Sequence, residues 1–208
     1  MKYYMGKSNK EWRDRQNRDP YVKRALKEGW RSRAVFKLDE INNKEKVLYP
    51  GMTCIDLGSS PGSWSQYVSL KLKEKVDIIA LDILPMDYLP AVEFIQGDFS
   101  DDEFFNRMLL LLKNRKIDLV MSDMAPNISG IKISDQARSM HLVELALDIA
   151  KRTLKKKGNF ICKLFQGYGS EVFIKEVRQE FEKVKVFKPK SSRPDSREVY
   201  LIAKSYLG

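Results

Sequence analysis

Four ionisable residues could supply acid–base chemistry. Lys163 lies in the middle of the apolar run NFICKLFQG, and Asp123 directly follows the apolar run IDLVMS. Lys37 belongs to the helical-looking stretch RAVFKLDEI, and Glu198 begins the last apolar segment. Each has an ordinary explanation, such as an ion pair for Lys163 or a solvated helix face for Lys37. A buried lysine is nevertheless costly unless it is paired or deprotonated, so Lys163 is the residue whose position is unusual.

Three further acidic residues end strand-like runs. Asp56 precedes the small-residue loop of CIDLGSSPGSWSQYV, Asp82 follows about twenty residues after that loop, and Asp98 comes next. In a doubly wound sheet, adenosine-bearing ligands bind at this edge, where Asp82 could accept hydrogen bonds from ribose hydroxyls. Asp98 suits the amino group of an adenine. The glycines do not fit the dinucleotide pattern and Pro61 lacks an amide hydrogen, so the loop favours a nucleoside without a pyrophosphate.

The elements that position these residues follow from the hydrophobic pattern. After residue 50, short β-rich runs alternate with amphipathic stretches, which is typical of a mostly parallel sheet with helices on both faces. The pattern predicts strands at 53–57, 77–81, 92–96, 117–122, 159–165, 184–188 and 198–204. It predicts helices at 62–73, 101–114, 134–156 and 170–183. Ser134 is the expected N-cap of the longest helix, and Gly158 is expected to stop it.

The charge of the chain points to a polyanionic partner. Thirty-eight Lys and Arg against 28 Asp and Glu give a formal net charge of +10, which favours nucleic acid without identifying it. The first 50 residues are especially basic, and we expect them to form one or two helices packed on the core. Their expected RNA-contacting residues, with an ordinary solvated helix face as the alternative, are Arg13, Arg15, Arg18, Lys23, Arg24, Lys27, Arg31 and Arg33.

Composition also limits the compartment and the class. Cys54 and Cys162 both lie in apolar runs without metal-ligand spacing, so we expect two reduced core thiols and no metal. No apolar run approaches the length that crosses a bilayer, and the N-terminus lacks a secretory pattern. We therefore expect a cytoplasmic protein, with a mitochondrial or other organellar location as the alternative. The only histidine, His141, lies near an apolar helix stripe and is expected to be structural or partly exposed rather than catalytic.

The motifs together resemble the FtsJ/RrmJ family of ribosomal RNA 2'-O-ribose methyltransferases. The resemblance covers about residues 20 to 203 and is carried by SRAVFKLDEI, DLGSSPGSWSQ, LDILPMD, QGDF, SDMAPNISG, KLFQG and SSRPDSREVYLIA. Ser63 replaces a common glycine, and Ser59 and Ser60 replace common alanines, substitutions that keep the loop compact. The segment before residue 20 has no clear counterpart in the family.

The resemblance implies a fold and a site. The fold is the Rossmann-like S-adenosylmethionine-dependent methyltransferase fold, with seven strands in one domain over 1–208: a basic helical appendage at 1–50 and a catalytic core at 51–208. The family's catalytic tetrad falls on Lys37, Asp123, Lys163 and Glu198. Its contacts with S-adenosyl-L-methionine fall on Gly62, Trp64, Asp82, Asp98 and Asp123.

The implied activity is 2'-O-methylation of a uridine in large-subunit ribosomal RNA, either as RNA or as the assembled subunit. The alternatives are a methyltransferase acting on transfer RNA or cap RNA, and a non-catalytic RNA-binding factor of ribosome assembly. Lys163 is the candidate base, and it could either take the proton of the hydroxyl or stay charged and steer it. We expect a monomer that needs neither a metal nor a membrane.

Overall fold

A seven-stranded sheet forms the centre of the protein in a computed structural model, which describes residues 18–98, 101–112 and 115–208. The strand order is β3-β2-β1-β4-β5-β7-β6. The strands are β1 (Thr53–Leu57), β2 (Asp77–Asp82), β3 (Val92–Gln96), β4 (Ile117–Ser122), β5 (Leu154–Phe165), β6 (Phe181–Phe187) and β7 (Glu198–Tyr206). The helices in the described part are α1 (Pro20–Lys27), α2 (Val35–Glu45), α3 (Ser63–Lys71), α4 (Asp102–Leu112), α5 (Lys132–Thr153) and α6 (Ser170–Glu180).

The sheet is parallel except at β7, which pairs antiparallel with both β5 and β6. The order of the strands reverses between β1 and β4, the point where open α/β sheets leave a crevice for ligands. The predicted Rossmann-like architecture is therefore confirmed. Because β7 runs opposite to β5, its first residue, Glu198, lies beside the end of β5, where it pairs with Phe165.

The two faces of the sheet are covered by different helices. One face buries Phe160, Cys162 and Leu164 of β5 against residues of α4, α5 and α6. The other face buries Ile161 of β5 together with Tyr200 of β7 against residues of α1, α2 and α3. Burial on both sides explains why the central strands are nearly continuous apolar runs. Lys163 is two residues after Ile161 in β5 and therefore lies on the same face, which α1, α2 and α3 cover.

Several predicted boundaries were wrong around the longest helix. The helix α5 begins at Lys132 and ends at Thr153, so Ser134 is not its N-cap and Gly158 does not stop it. The strand β5 already begins at Leu154, which pairs with Ile117 of β4. Likewise α6 ends at Glu180 because Phe181 pairs with Tyr206. In both places strand pairing outweighs the local helical pattern.

Smaller differences affect the other elements. The helix α3 is shorter than predicted. The helix α4 begins one residue later than predicted, and positions 113 and 114 of the predicted helix lie outside the described residues. Residues 18–50 contain α1 and α2, and the basic helical appendage over 1–50 stays a prediction. Within the residues that the structure describes, no helix is long and apolar enough to cross a membrane.

Candidate active site

Three strands and one helix bring the four sequence-predicted catalytic side chains to one edge of the sheet. Asp123 comes one residue after β4, while Lys163 lies near the end of β5 and Glu198 starts β7. Lys37 comes from the first turn of α2, above the same face. The position of α2 is fixed from α3, because the Trp64 indole donates to the Ala34 carbonyl at 2.9 Å and the Tyr67 hydroxyl donates to Asp39 at 2.8 Å.

The four side chains form one connected ion cluster. Lys163 Nζ lies 2.8 Å from Asp123 Oδ1 and also donates to the Asp123 backbone carbonyl at 2.8 Å. Lys37 Nζ lies 2.8 Å from Glu198 Oε1. The cross distances are 3.8 Å, from Lys37 Nζ to Asp123 Oδ1 and from Lys163 Nζ to Glu198 Oε2. We call this set the tetrad. Its two lysines and two carboxylates balance in charge when all four are ionised.

Burial makes the tetrad electrostatically unusual. All four side chains are buried or nearly so, and in such surroundings the charges are screened weakly. Burial lowers the pKa of Lys37, and the neighbouring Lys163 lowers it further, although Asp123 and Glu198 oppose the change. Burial alone would raise the pKa of Asp123, but Lys163 and Lys37 hold that pKa below its usual range. Asp123 therefore remains an anion throughout the physiological range.

Two residues of this site escaped the sequence prediction. Tyr200 is fully buried and pairs directly with Lys163 across β5 and β7, and its hydroxyl donates to Asp123 Oδ1. Ser192 donates to Glu198 Oε1 at 2.8 Å. Since side chains two apart on a strand share a face, Tyr200 could have been found from Glu198. Nothing in the local pattern of SSRPDSR marks Ser192 as a partner of Glu198.

A cavity of about 500 Å³ opens beside the tetrad, at the ends of β1, β2 and β4. Three of the predicted cofactor contacts, Asp82, Asp98 and Asp123, line it. Asp82 is held in place because its Oδ2 accepts from the Ser60 amide and its Oδ1 accepts from the Leu84 amide, both at 2.8 Å. A carboxylate can accept about four hydrogen bonds, so Asp82 keeps capacity for a ligand.

The other two predicted cofactor contacts do not line this cavity. Gly62 caps α3 in a left-handed conformation (φ 101°), where a Cβ would come within 2.8 Å of Arg31 and of Met86. Trp64 is buried under the tetrad, with its ring centroid 5.8 Å from that of Tyr200. Gly62 therefore allows the tight turn before α3, and Trp64 packs against Tyr200.

Gly58 and Asp56 show how the first strand serves the cavity. Gly58 lines it with a positive φ of 71°, and a Cβ there would approach the Met124 side chain to 2.4 Å. Asp56 lies outside the residues that line it and accepts a hydrogen bond from Ser65 at 2.7 Å. Burial raises the pKa of Asp56 to about 7, against the opposing hydrogen bond from Ser65. Of the three acidic residues that end strands, Asp56 is thus the one that is buried in the protein and does not line the cavity.

One face of α5 supplies cavity residues that the sequence analysis did not assign to the cofactor: Arg138, His141, Leu142 and Leu145. Their spacing of three and four places them on one side of the helix. His141 is exposed and lies at the cavity rather than in the core. That spacing is a signal that could have identified this side of the cavity.

The predicted basic RNA surface is only partly free. Arg13 and Arg15 lie outside the described residues. Arg31 donates to the carbonyls of Pro61, Asp87 and Tyr88, and so braces the loops around α3. Arg33 forms an ion pair with Asp19, and Arg24 forms one with Glu28. Arg18, Lys23 and Lys27 are exposed.

The fold and the site define a Rossmann-like α/β protein with an acid-lined ligand cavity at the switch point and a buried lysine–carboxylate tetrad beside it. The model of the FtsJ-like methyltransferase family matches residues 30–206. The chain belongs to this family, and it is thus a methyltransferase.

Similar proteins extend over nearly the whole chain. Ribosomal RNA large subunit methyltransferase E of Stutzerimonas stutzeri is 52% identical over 202 residues, which are 97% of this chain and 98% of the relative. The enzyme of the same name from Legionella pneumophila strain Lens is 52% identical over 200 residues, covering 96% and 97%. A crystal structure of a ribosomal RNA methyltransferase from Plasmodium falciparum superimposes with a TM-score of 0.77 at 32% identity, covering 86% of this chain and 100% of that one.

Proposed function

We propose that the protein transfers a methyl group from S-adenosyl-L-methionine to a ribose 2'-hydroxyl of a uridine in large-subunit ribosomal RNA. The observation that carries this proposal is the tetrad itself. Each of the two lysines lies 2.8 to 3.8 Å from both carboxylates in a largely buried site. Stability alone does not explain such a cluster, because an apolar replacement is often equally stable. A function in catalysis does explain it.

The neighbouring cavity fits this cofactor in size and in charge. Three carboxylates line it, from Asp82, Asp98 and Asp123, and they would repel a phosphate and attract a cationic sulfonium. When bound, S-adenosyl-L-methionine supplies an electrophilic methyl group on its sulfonium sulfur. Asp82 would bind the ribose hydroxyls and Asp98 the adenine amino group. Direct contact of Gly62 and Trp64 with the cofactor stays a prediction. Since neither lines the cavity, we propose that they support the loop between β1 and α3.

Of the two roles considered for Lys163, we propose the charged steering role, which its hydrogen bonds allow. Two of its N–H groups are directed at Asp123, one to a carboxylate oxygen and one to the backbone carbonyl. An ammonium has three donors, so one remains for the acceptor oxygen. Donation to that oxygen would orient its lone pair toward the methyl group. Positioning of this kind can supply much of the acceleration of a bimolecular reaction.

The remaining tetrad members hold Lys163 and the ribose. Glu198 accepts from Lys37 and from Ser192 on one oxygen, and its other oxygen lies 3.8 Å from Lys163. Glu198 therefore keeps acceptor capacity facing Lys163, where it could receive the proton that the methylated oxygen loses. Lys37, whose pKa burial lowers, would compensate the negative charge of Glu198 while the hydroxyl is bound.

Large-subunit ribosomal RNA is favoured as the substrate because two relatives at about half identity carry that substrate in their names. Transfer RNA and cap RNA remain the alternative acceptors, since the same tetrad would serve them. A non-catalytic assembly factor is disfavoured because a binding module has no use for a buried lysine next to a cofactor cavity. The bacterial relatives favour the cytoplasm over an organelle as the place of action.

The experiment is transfer of tritiated methyl from S-adenosyl-L-methionine to three acceptors: undermethylated large ribosomal subunits, transfer RNA and capped RNA. Lys163→Met is compared with the matched control Lys175→Met, because Lys175 is an exposed lysine on α6. We expect label in 2'-O-methyluridine of the large-subunit RNA with wild type and with the control only. Label on a base, or on transfer RNA in preference to the subunit, would contradict the proposal.

A further inference from the structure

A second cavity lies at the same edge of the sheet and adjoins the cofactor cavity. It measures about 290 Å³ and shares Pro126 with the cofactor cavity. Phe165, two residues beyond Lys163, lines it, and so does Arg197, which precedes Glu198. The two are neighbours in the sheet, since Phe165 pairs with Glu198 and the Gln166 amide donates to the Arg197 carbonyl at 3.0 Å. We call this cavity the acceptor cleft.

The acceptor cleft differs chemically from the cofactor cavity. Pro126, Ile128 and Phe165 give it apolar surface, and Lys132 and Arg197 add exposed cations. Neither cation forms a salt bridge with any residue that the structure describes. A wall of apolar and aromatic groups beside free cations suits an unpaired nucleotide, because the base needs a flat apolar surface and the phosphate needs a positive charge.

Two carboxylates also line the cleft, and both are already engaged. Asp135 accepts hydrogen bonds from the Ser129 amide, the Ser129 hydroxyl and the Gly130 amide, and it pairs with Arg138 at 2.9 Å. Asp195 also has a partner, so it is not a free carboxylate. The cleft therefore presents the exposed cations Lys132 and Arg197 beside a carboxylate, Asp135, that already has a cation partner in Arg138.

Hydrogen bonds fix both walls before any ligand binds. The contacts to Asp135 span 2.7 to 3.0 Å and hold the loop that carries Ile128, a side chain left 69% exposed. On the other side the Gln136 side chain donates from Nε2 to the backbone carbonyls of Phe165 and Tyr168 at 3.2 and 3.1 Å. The loop therefore keeps the Ile128 side chain exposed, where a ligand can contact it. A preformed cleft loses less entropy when it binds.

We propose that the acceptor cleft binds the nucleotide whose ribose is methylated, with its base against Ile128 and Phe165 and an adjoining phosphate on Arg197. This assignment rests on the proposed function. A cavity of about 290 Å³ is near the small end of ligand sites, so it fits one base and excludes a duplex. The acceptor nucleotide must therefore be unpaired or turned out of its helix.

The test measures KM for large-subunit RNA and the Kd of S-adenosyl-L-methionine in four variants. Ile128→Ser is matched by Leu110→Ser, since Leu110 on α4 is equally exposed at 70%. Arg197→Gln is matched by Arg178→Gln on the exposed side of α6. We expect each cleft variant to raise KM about tenfold, as loss of one stacking surface or one phosphate contact does. The Kd of the cofactor should not change.

Salt dependence separates the two contacts. Arg197→Gln should reduce the slope of log KM against log salt by about 0.7, the value for one phosphate on a single strand, while Ile128→Ser should leave the slope unchanged. Cleft variants that behave like their controls, or that weaken the cofactor instead of the RNA, would overturn the proposal. A wild type that methylates no RNA would instead refute the proposed function.

Discussion

Replacing Asp56 by asparagine should stabilise the protein, by an amount that grows with pH. Asp56 is buried at the end of β1, and burial raises its pKa from the ordinary 3.8 to about 7. The folded state therefore binds a proton that the unfolded state has lost between these two pH values. Stability from this group is greatest below pH 3.8 and is lost as the pH rises through about 7. Asparagine cannot ionise and avoids the loss.

The size of the effect follows from the shift. One pKa unit corresponds to about 1.4 kcal/mol, so a shift of about three units is worth about 4 kcal/mol in full. Between pH 5 and pH 8.5 the advantage of Asp56→Asn over wild type should grow by about 3 kcal/mol. Urea denaturation of both proteins at the two pH values measures it, and the difference between them cancels the titration of groups that they share.

Asp118→Asn is the matched control at another buried aspartate of the sheet. Burial alone would raise the pKa of Asp118, but Lys155, Tyr49 and the Thr53 amide hold that pKa below 3.8. The contribution of Asp118 to stability therefore changes only at pH values below about 3.8. The difference in free energy of unfolding between Asp118→Asn and wild type should be constant between pH 5 and 8.5. An equally flat difference for Asp56→Asn would refute the reasoning about burial at the end of β1.

Three further changes test the surroundings of the site. Tyr200→Phe removes a buried hydrogen bond to Asp123 and should lower the free energy of unfolding by about 1 to 3 kcal/mol in urea denaturation at pH 7; an unchanged value would show that this bond contributes nothing. Gly58→Ala places a Cβ 2.4 Å from the Met124 side chain and should abolish cofactor binding in calorimetry, so retained binding would contradict the tight loop. Asp82→Ala should raise the Kd of S-adenosyl-L-methionine at least about tenfold through lost charged hydrogen bonds, and an equal loss of RNA affinity would contradict its assignment to the cofactor.

Three strands were predictable because each is a short apolar run with clear ends. β1, β3 and β4 match the predicted ranges, since short apolar runs between polar loops leave little choice. Leu154 to Gly158 was different, because the three lysines at 155–157 favour a helix locally while Leu154 pairs with Ile117. A contact so distant in sequence cannot be read from a local pattern.

The tetrad residues were recognisable for two reasons of unequal strength. Lys163 stands out physically, as a charge inside a core strand. Lys37 and Glu198 do not, because a lysine on a helix and a glutamate at a strand start are ordinary; the family resemblance selected them. Tyr200 and Ser192 were missed because a tyrosine and a serine fit any strand or loop, and only the pairing of β5 with β7 reveals their contacts.

The most direct test of the account is single-turnover methyl transfer at saturating cofactor and RNA by wild type, Lys163→Met and Lys175→Met. If Lys163 orients the acceptor hydroxyl, Lys163→Met should slow the transfer by about 10²- to 10³-fold, the range for loss of one positioned hydrogen-bond donor. Cofactor affinity should be retained, and the control should match wild type. Transfer by Lys163→Met within tenfold of wild type would show that the tetrad does not perform the chemistry.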